Sequence, residues 1–199
     1  MIEQGTTEES VSKTVIKGLT LKELKDFFIA ADEKKFRGDQ VFEWIYGHMA
    51  ASFDDMSTIP NYLRKKLNLY CELNTLTLVS ATKSQKSGTR EYLFKTHDDL
   101  IIESVIIPEP KRITLCISTQ VGCPLDCQFC ATGLMGYKRN LSSGEIIDQF
   151  LMASQDYGKN KITNIVYMGM GEPLLNYANT LKTLQIFAEG KTKDISLKR

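Results

Sequence analysis

Cys116-Ile-Ser-Thr-Gln-Val-Gly-Cys123-Pro-Leu-Asp-Cys127-Gln-Phe-Cys130-Ala-Thr-Gly133-Leu-Met-Gly136 is the stretch on which the reading of this chain turns. Cys123, Cys127 and Cys130 are separated by three and then two residues. They lie on a glycine-rich loop directly after an apolar, strand-like run, Ile113-Thr-Leu-Cys-Ile117. Thiolates this closely spaced are soft metal ligands. Their number narrows the choice of metal. A structural zinc site closes with four ligands, and an electron-transfer iron–sulfur cluster normally takes four cysteines. Three thiolates on a four-iron cluster leave one iron open to an outside ligand, which suits chemistry better than scaffolding. A zinc knuckle would have to recruit its fourth ligand from His48, His97, Cys71 or Cys116 and is the weaker reading. A disulfide framework is weaker still, because the cysteine count of 5 is odd and no secretory apolar segment opens the chain.

Composition sets the outer bounds. The chain has 199 residues, 42% hydrophobic and 25% charged, which fits one large or two small globular domains. No apolar run approaches membrane-spanning length. With 25 basic and 24 acidic residues the formal charge is +1, so bulk charge announces no nucleic-acid partner. Local basic groups occur at Lys34, Lys35 and Arg37; at Arg64, Lys65 and Lys66; at Lys83, Lys86 and Arg90; and at Lys138 and Arg139. Taken singly, each reads first as a solvated face. Reduced cysteines and the lack of a targeting signal point to the cytoplasm.

Residues 1–17 are polar and aperiodic and read as a loose N-terminus. A helix starts at Thr20, where Glu23 completes a capping box, and its apolar face is Leu21, Leu24, Phe27 and Phe28. A second runs from about Asp39 through Val41, Phe42, Trp44, Ile45 and Met49. A third begins near Pro60 and carries Leu63, Leu67 and Tyr70. Trp44 and the phenylalanines are the simplest core for this helical unit, with Cys71 a buried bystander. The period then changes. Residues 73–79, 89–94 and 100–107 read as strands, with turns at 86–88 and 97–99. Glu103 interrupts the last strand: it either faces solvent, the simpler reading, or sits in a low-dielectric site where its pKa would rise.

Pro108 and Pro110 close that section. Beyond them come a strand at 112–119, the cysteine loop, a helix, a strand, a glycine turn and a helix, the pattern of an α/β barrel. The first of these helices is capped by Ser142 with Glu145, buries Ile146, Ile147, Phe150, Leu151 and Tyr157, and stops at Gly158. Strand 162–168 runs into Gly169-Met-Gly-Glu-Pro173, and a further helix spans roughly 177–188. Ligands of parallel α/β folds bind at the C-terminal ends of the strands, so the cysteine loop and the glycine turn should face one site. Glycines there let the main chain approach a ligand closely, and the missing Gly-Lys-Ser/Thr ending excludes a P-loop. The expected division is a helical domain at 1–72, a β-extension at 73–108 and the N-terminal part of an α/β barrel at 109–199.

CxxxCxxC with an aromatic residue, Phe129, before the last cysteine resembles the radical S-adenosylmethionine (radical-SAM) enzymes. The resemblance implies a 4Fe–4S cluster on Cys123, Cys127 and Cys130, whose open iron is chelated by the methionine part of SAM. It also makes Gly171 and Glu172 similar to the segment that holds the SAM ammonium. Further collinear stretches, over about residues 20 to 199, resemble one subfamily, the RlmN-type adenine-C2 RNA methyltransferases. They are Phe36-Arg-Gly-Asp-Gln-Val41 with Trp44-Ile-Tyr46, Glu103 with Ile107-Pro108, and Leu115-Cys116. Gln120-Val-Gly-Cys123, Gly136-Tyr-Lys-Arg-Asn-Leu141, Ile162-Thr-Asn-Ile-Val166 and Met168-Gly-Met-Gly-Glu-Pro-Leu-Leu-Asn176 continue the series. The fold implied is a partial radical-SAM (βα) barrel preceded by a small helical domain and a β-extension.

The activity implied is methylation of carbon 2 of an adenine in 23S ribosomal RNA at the peptidyl-transferase centre, and in tRNA beside the anticodon. A sister family, the Cfr type, acts at carbon 8. In the family one SAM methylates a cysteine near the C-terminus, and a second is cleaved to a 5′-deoxyadenosyl radical that takes hydrogen from that methyl group. The methylene radical adds to the base, and a second cysteine resolves the adduct. By motif, Cys116 would be that resolving cysteine and Glu103 a proton acceptor; read without the resemblance, Cys116 is a buried small hydrophobe. Implied partners are the two RNAs and an electron donor such as flavodoxin or ferredoxin. The sequence departs from the family in one respect: no cysteine follows Cys130, and the chain stops at Arg199 after about two βα units. The expectation is a chain that binds a cluster yet does not methylate RNA by itself, with an exposed strand edge. A non-catalytic iron–sulfur or RNA-binding module is the rival reading, and carbon-8 methylation a further alternative.

Overall fold

The computed structural model describes residues 13–125, 127–128 and 130–190, so the expectations for residues 1–12 and for Phe129 lie outside the described residues. The front of the chain, expected to be loose as far as Lys17, is built into the fold from Thr14. β1 (Thr14–Val15) pairs in parallel with β2 (Cys71–Glu72), and Ile16 is fully buried. A two-residue strand carries no period, and Lys17 is buried only because a distant carboxylate meets it. Local sequence could not report either.

α1 (Leu21–Ala30) starts at the expected capping box, with Thr20 and Glu23 bonded reciprocally. α2 (Phe36–Phe42) begins earlier than the expected position 39 and runs into a π-helical turn, Glu43–Gly47. Ile45 and Tyr46 are both buried there, while Trp44 stays at the rim and donates from Nε1 to Thr58 Oγ1 at 2.7 Å. Phe28, Phe42 and Phe53 do form core; Trp44 and Phe27 are only half-buried and Phe36 is exposed. α3 (Asn61–Tyr70) follows Pro60 and buries Leu63 and Leu67. Tyr70 remains exposed because the chain turns into β2, where Cys71 takes the buried position.

The meander comes next: β3 (Leu76–Lys83), β4 (Arg90–Thr96), β5 (Ile101–Glu109) and β6 (Arg112–Cys116), antiparallel in that order. A small hairpin of β7 (Gln120–Val121) and β8 (Arg139–Asn140) encloses a loop containing the one-turn α4 (Ala131–Leu134). α5 (Ser143–Tyr157), capped by Ser142 and Glu145 as expected, leads to β9 (Asn164–Val166), which lies parallel to β6 and completes a five-stranded sheet. α6 (Tyr177–Ala188) follows. β3 begins later than the expected 73–79 for a specific reason. The Asp148 carboxylate on α5 accepts the N–H groups of Thr75 and Leu76, at 2.9 and 3.2 Å, and turns the stretch before Leu76 towards α5, so that the ladder begins at Leu76.

Alternation along the strands decides the two faces of the sheet. Tyr92, Phe94, Ile102, Ile106, Leu115 and Ile117 are buried on one. α5 and α6 supply Ile146, Ile147, Phe150, Ile186 and Phe187 to the same core, Phe150 and Phe187 meeting edge-to-face at 5.3 Å. Each such side chain is worth roughly 1.5–3 kcal/mol when fully buried. The other face is open: Glu103 is exposed, the simpler of its two readings, and Val105, Cys116 and Val166 are half-buried. Among the described residues no helix is long and apolar enough to cross a membrane.

A polar seam joins the N-terminal helices to α5. Gly18, at φ +90°, crosses the start of α5 so closely that a Cβ on it would overlap the Gly144 backbone. Lys17 Nζ meets Asp148 at 2.6 Å, both side chains fully buried. Ser143 Oγ donates to the Gly18 carbonyl, and Tyr46 Oη accepts the Gly18 N–H at 2.8 Å while donating to the Leu19 carbonyl. Burial pushes the Tyr46 pKa up, so the phenol stays a donor.

Candidate functional site

The cysteine loop leaves the sheet after β6 and returns at β8. Its mouth is closed by the β7–β8 pairing of Gln120 with Asn140 and Val121 with Arg139, and by the Lys138 N–H donating to the Val121 carbonyl at 2.9 Å. Gly122, at φ +73°, passes Gly136 with no room for a side chain: a Cβ would overlap the Gly136 carbonyl. Beyond this crossing, Cys123 and Cys130 are half-buried and Cys127 is exposed, all as free thiols. Cys130 stands just before α4. The N–H groups of Thr132 and Gly133, then the Thr132 hydroxyl, hold its thiol below the ordinary value, an environment that favours thiolate.

The glycine turn is tied to the base of the same loop. Met170 N–H donates to Ser118 Oγ at 2.8 Å, and the Met170 carbonyl accepts from Thr119 and Gln120. Gln120 Oε1 accepts the Glu172 N–H at 2.9 Å while its Nε2 donates to Asn140 in β8 at 2.7 Å. Gly171, at φ +93°, packs so tightly on Gln120 that a Cβ would overlap its side chain. Glu172 Oε1 accepts from Leu174 N–H at 3.0 Å, capping the 3-10 turn Pro173–Asn176. Asn176 is buried and donates to the carbonyls of Thr119 and Leu141, both at 2.7 Å. Cysteine loop and glycine turn therefore occupy neighbouring strand ends, as expected.

Glu103 and Cys116 lie on the open face beside them. Register pairs Val105 with Cys116 and Cys116 with Val166, and Glu103 precedes Val105 along β5 on the same face, one pleat away. The Glu103 carbonyl accepts from Ser118 Oγ at 2.6 Å, which fixes that end of β5 to the glycine turn. Burial pushes the Cys116 thiol up, against a smaller opposing effect of the Met168 backbone. The structure thus puts Glu103 and Cys116 on one face of the sheet and the cysteine loop and glycine turn at its neighbouring strand ends, with Cys116 half-buried rather than fully enclosed.

Comparison with known proteins agrees with this architecture. Residues 14–73 match the family model described as "Ribosomal RNA large subunit methyltransferase N-terminal domain", and residues 117–197 match "Radical SAM superfamily". "Probable dual-specificity RNA methyltransferase RlmN" of Cytophaga hutchinsonii is 43% identical over 98% of this chain and 54% of that protein. The chain belongs to the RlmN family of radical-SAM proteins. "Dual-specificity RNA methyltransferase RlmN" of Alcanivorax borkumensis is 40% identical over 94% of the chain and 50% of that protein. A crystal structure of a radical SAM methyltransferase from Sphaerobacter thermophilus superposes with a TM-score of 0.87 at 37% identity, covering 94% of this chain and 55% of that one. The chain thus spans about half the length of the curated relatives it matches. The partial radical-SAM barrel expected from the sequence is the fold observed.

Sequence reasoning missed the polar groups that hold this RlmN-family site together. Gln149 is buried on α5; it accepts from Ser104 Oγ and the Ser118 N–H, at 2.7 and 2.8 Å, and donates to the Ser118 carbonyl at 2.9 Å. A signal was present: Glu145, Asp148 and Gln149 are polar residues among the apolar positions of α5. Arg139, read as part of a basic group, is instead bonded to Asp98 and Glu145. Donor chemistry at the loop fits a cluster: three thiols outside any disulfide on one short loop, one of them biased towards thiolate.

Proposed function

We propose that this chain forms the cluster- and SAM-binding portion of an RNA methyltransferase that methylates carbon 2 of an adenine in 23S ribosomal RNA, and in tRNA beside the anticodon. The observation that supports the reading is the joining of two strand ends by Ser118, Gln120 and Asn176, which ties the base of a loop carrying three free thiols to the glycine turn. Cys123, Cys127 and Cys130 would hold a 4Fe–4S cluster, and Gly171 and Glu172 the SAM ammonium. Glu172 has its Oε1 engaged by Leu174, and among the described residues Oε2 has no partner and is left for a cation. When bound, the cluster and SAM supply one-electron cleavage of the sulfonium, chemistry that an electron-poor base carbon requires. Cys116 is kept as a neutral thiol by burial and is the resolving cysteine. Glu103 presents a carboxylate to the open face and takes up the proton.

Residues 1–72 make up the RNA-gripping domain, 73–108 the β-extension and 109–199 the start of the core. Support for RNA comes from the α1–α2 connection: Lys34 and Lys35 are exposed with no partner among the described residues, and exposed Phe36 lies under the Arg37 guanidinium at 4.7 Å. Exposed aromatics with free cations suit stacked bases and phosphates. The setting is cytoplasmic, with a flavodoxin- or ferredoxin-type electron donor.

Anaerobic reconstitution of the full chain with iron, sulfide, SAM and a reductant tests the reading. Release of 5′-deoxyadenosine supports it. Bound iron without that product would leave a non-catalytic iron–sulfur module, and stoichiometric zinc without iron–sulfide absorption would overturn the cluster. Where methylation is restored, a carbon-8 product would move the protein to the sister activity.

A further inference from the structure

Arg139 stands where the cysteine loop, the sheet and α5 meet. Its backbone pairs with Val121 across the loop mouth and so closes the excursion that carries Cys123, Cys127 and Cys130. Its guanidinium grips two carboxylates at once. Nε and Nη2 donate to Asp98 at 2.8 and 2.6 Å, and Nη1 and Nη2 donate to Glu145 at 2.9 and 2.8 Å. Both partners are themselves fixed: Glu145 is buried in the α5 capping box, and Asp98, in the β4–β5 turn, accepts from Thr96 Oγ1 at 2.6 Å. His97, Asp98 and Glu145 offer ligand atoms within 4.8 Å of one another, a spacing that would seat a cation. Arg139 already supplies the positive charge there, so the cluster of side chains is better read as an anchor than as a metal site.

The neighbouring residue extends the anchor towards the glycine turn. Asn140 accepts from Gln120, and Gln120 in turn accepts the Glu172 N–H. A planar fork suits two carboxylates in a way that a lysine ammonium does not. Fixing both ends of a long loop also lowers the entropic cost of bringing its cysteines together.

We propose that Arg139 is a positioning residue, whose two-carboxylate grip fixes the loop mouth against the sheet and α5 and so sets the spacing at which the three thiolates meet a cluster. The proposal rests on the cysteines being ligands, as argued above.

The test compares the full-length chain with Arg139→Lys, Arg139→Met and Asp98→Asn. The last weakens only the outer leg, leaving Arg139 one neutral acceptor there, and keeps the buried Glu145 contact in place. Two readouts are taken. After anaerobic reconstitution, iron loss to a chelator is followed by iron–sulfide absorption; Arg139→Met should lose iron about 10-fold faster, the low end of what loss of outer support costs a metal site in affinity. Arg139→Lys and Asp98→Asn should fall between it and wild type, with an altered electron paramagnetic resonance signal of the reduced cluster. Without iron, hydrogen exchange at the Lys138 amide should speed up in Arg139→Met and Asp98→Asn, while the α5 amides keep their protection. Wild-type iron retention together with wild-type Lys138 exchange in both variants would overturn the proposal. If the wild-type chain takes up no iron, the cluster reading fails separately, and unchanged Lys138 exchange alone would then sink the role of Arg139.

Discussion

The seam over α5 and the open face of the sheet are built from neighbouring elements, yet they treat polar groups in opposite ways. At the seam Lys17, Asp148, Ser143 and Tyr46 are buried and each has a partner, Lys17 with Asp148 and Ser143 with Gly18 crossing the join. On the open face Glu103 has no side-chain partner among the described residues; at the adjoining strand ends Cys127 is exposed and Glu172 commits one oxygen to Leu174. An unpaired buried polar group costs about 1–3 kcal/mol, so a buried join has to be complete. Exposed groups face no such demand and stay available to a ligand. Completed polar contacts and open side chains are thereby placed in different regions of the molecule.

That contrast predicts large effects on function without effects on stability, and the reverse. Cys127→Ala should reduce reconstituted iron to background while leaving the apo chain within about 0.5 kcal/mol of wild type in urea unfolding, because the thiol is exposed. A large loss of apo stability would erase the distinction between the two regions. At the seam, Lys17→Met strands a buried carboxylate and should cost about 3–5 kcal/mol. Adding Asp148→Asn should recover part of it, since a neutral amide oxygen still accepts from Thr75 and Leu76. Gly18→Ala combines positive φ with overlap on Gly144 and should cost about 1–3 kcal/mol, whereas Gly190→Ala, with open space around it, should be near neutral.

The anchor at Arg139 lies between these extremes. The adjacent guanidinium holds the Asp98 carboxyl well below its ordinary 3.8. A depressed carboxylate contributes stability that is complete above its unfolded value and is lost as pH falls through the folded one. The gap between wild type and Asp98→Asn in urea midpoint should therefore be constant above pH 3.8 and close progressively below it. Its size should be small, because the Asp98 side chain is 36% exposed and solvent screens the pair. Glu103→Gln should be smallest of all, within about 0.5 kcal/mol by the same unfolding measurement.

Legibility in the sequence followed the range of the interactions. The capping boxes at Thr20 and Ser142 were readable because both partners lie within four residues. The turns ending at Gly88 and Asp99 were readable too, and both residues take positive φ. Strand ends were less so: β3 shifted because Asp148, far along the chain, takes its first amides. Trp44 and Tyr70 look like core by composition and are not, since a π-helical turn and the entry into β2 alter which way they face.

By itself the sequence determined the spacing of the three cysteines, the glycine turn, and the alternation that gives the sheet one apolar face, because these depend on residue type and nearest neighbours. Only the tertiary structure decided that Lys17 meets Asp148, that Gly18 lies on Gly144, and that Arg139 grips both Asp98 and Glu145. Those pairings join residues far apart in the chain, and a lone charge or glycine carries no mark of its partner until packing brings the two together.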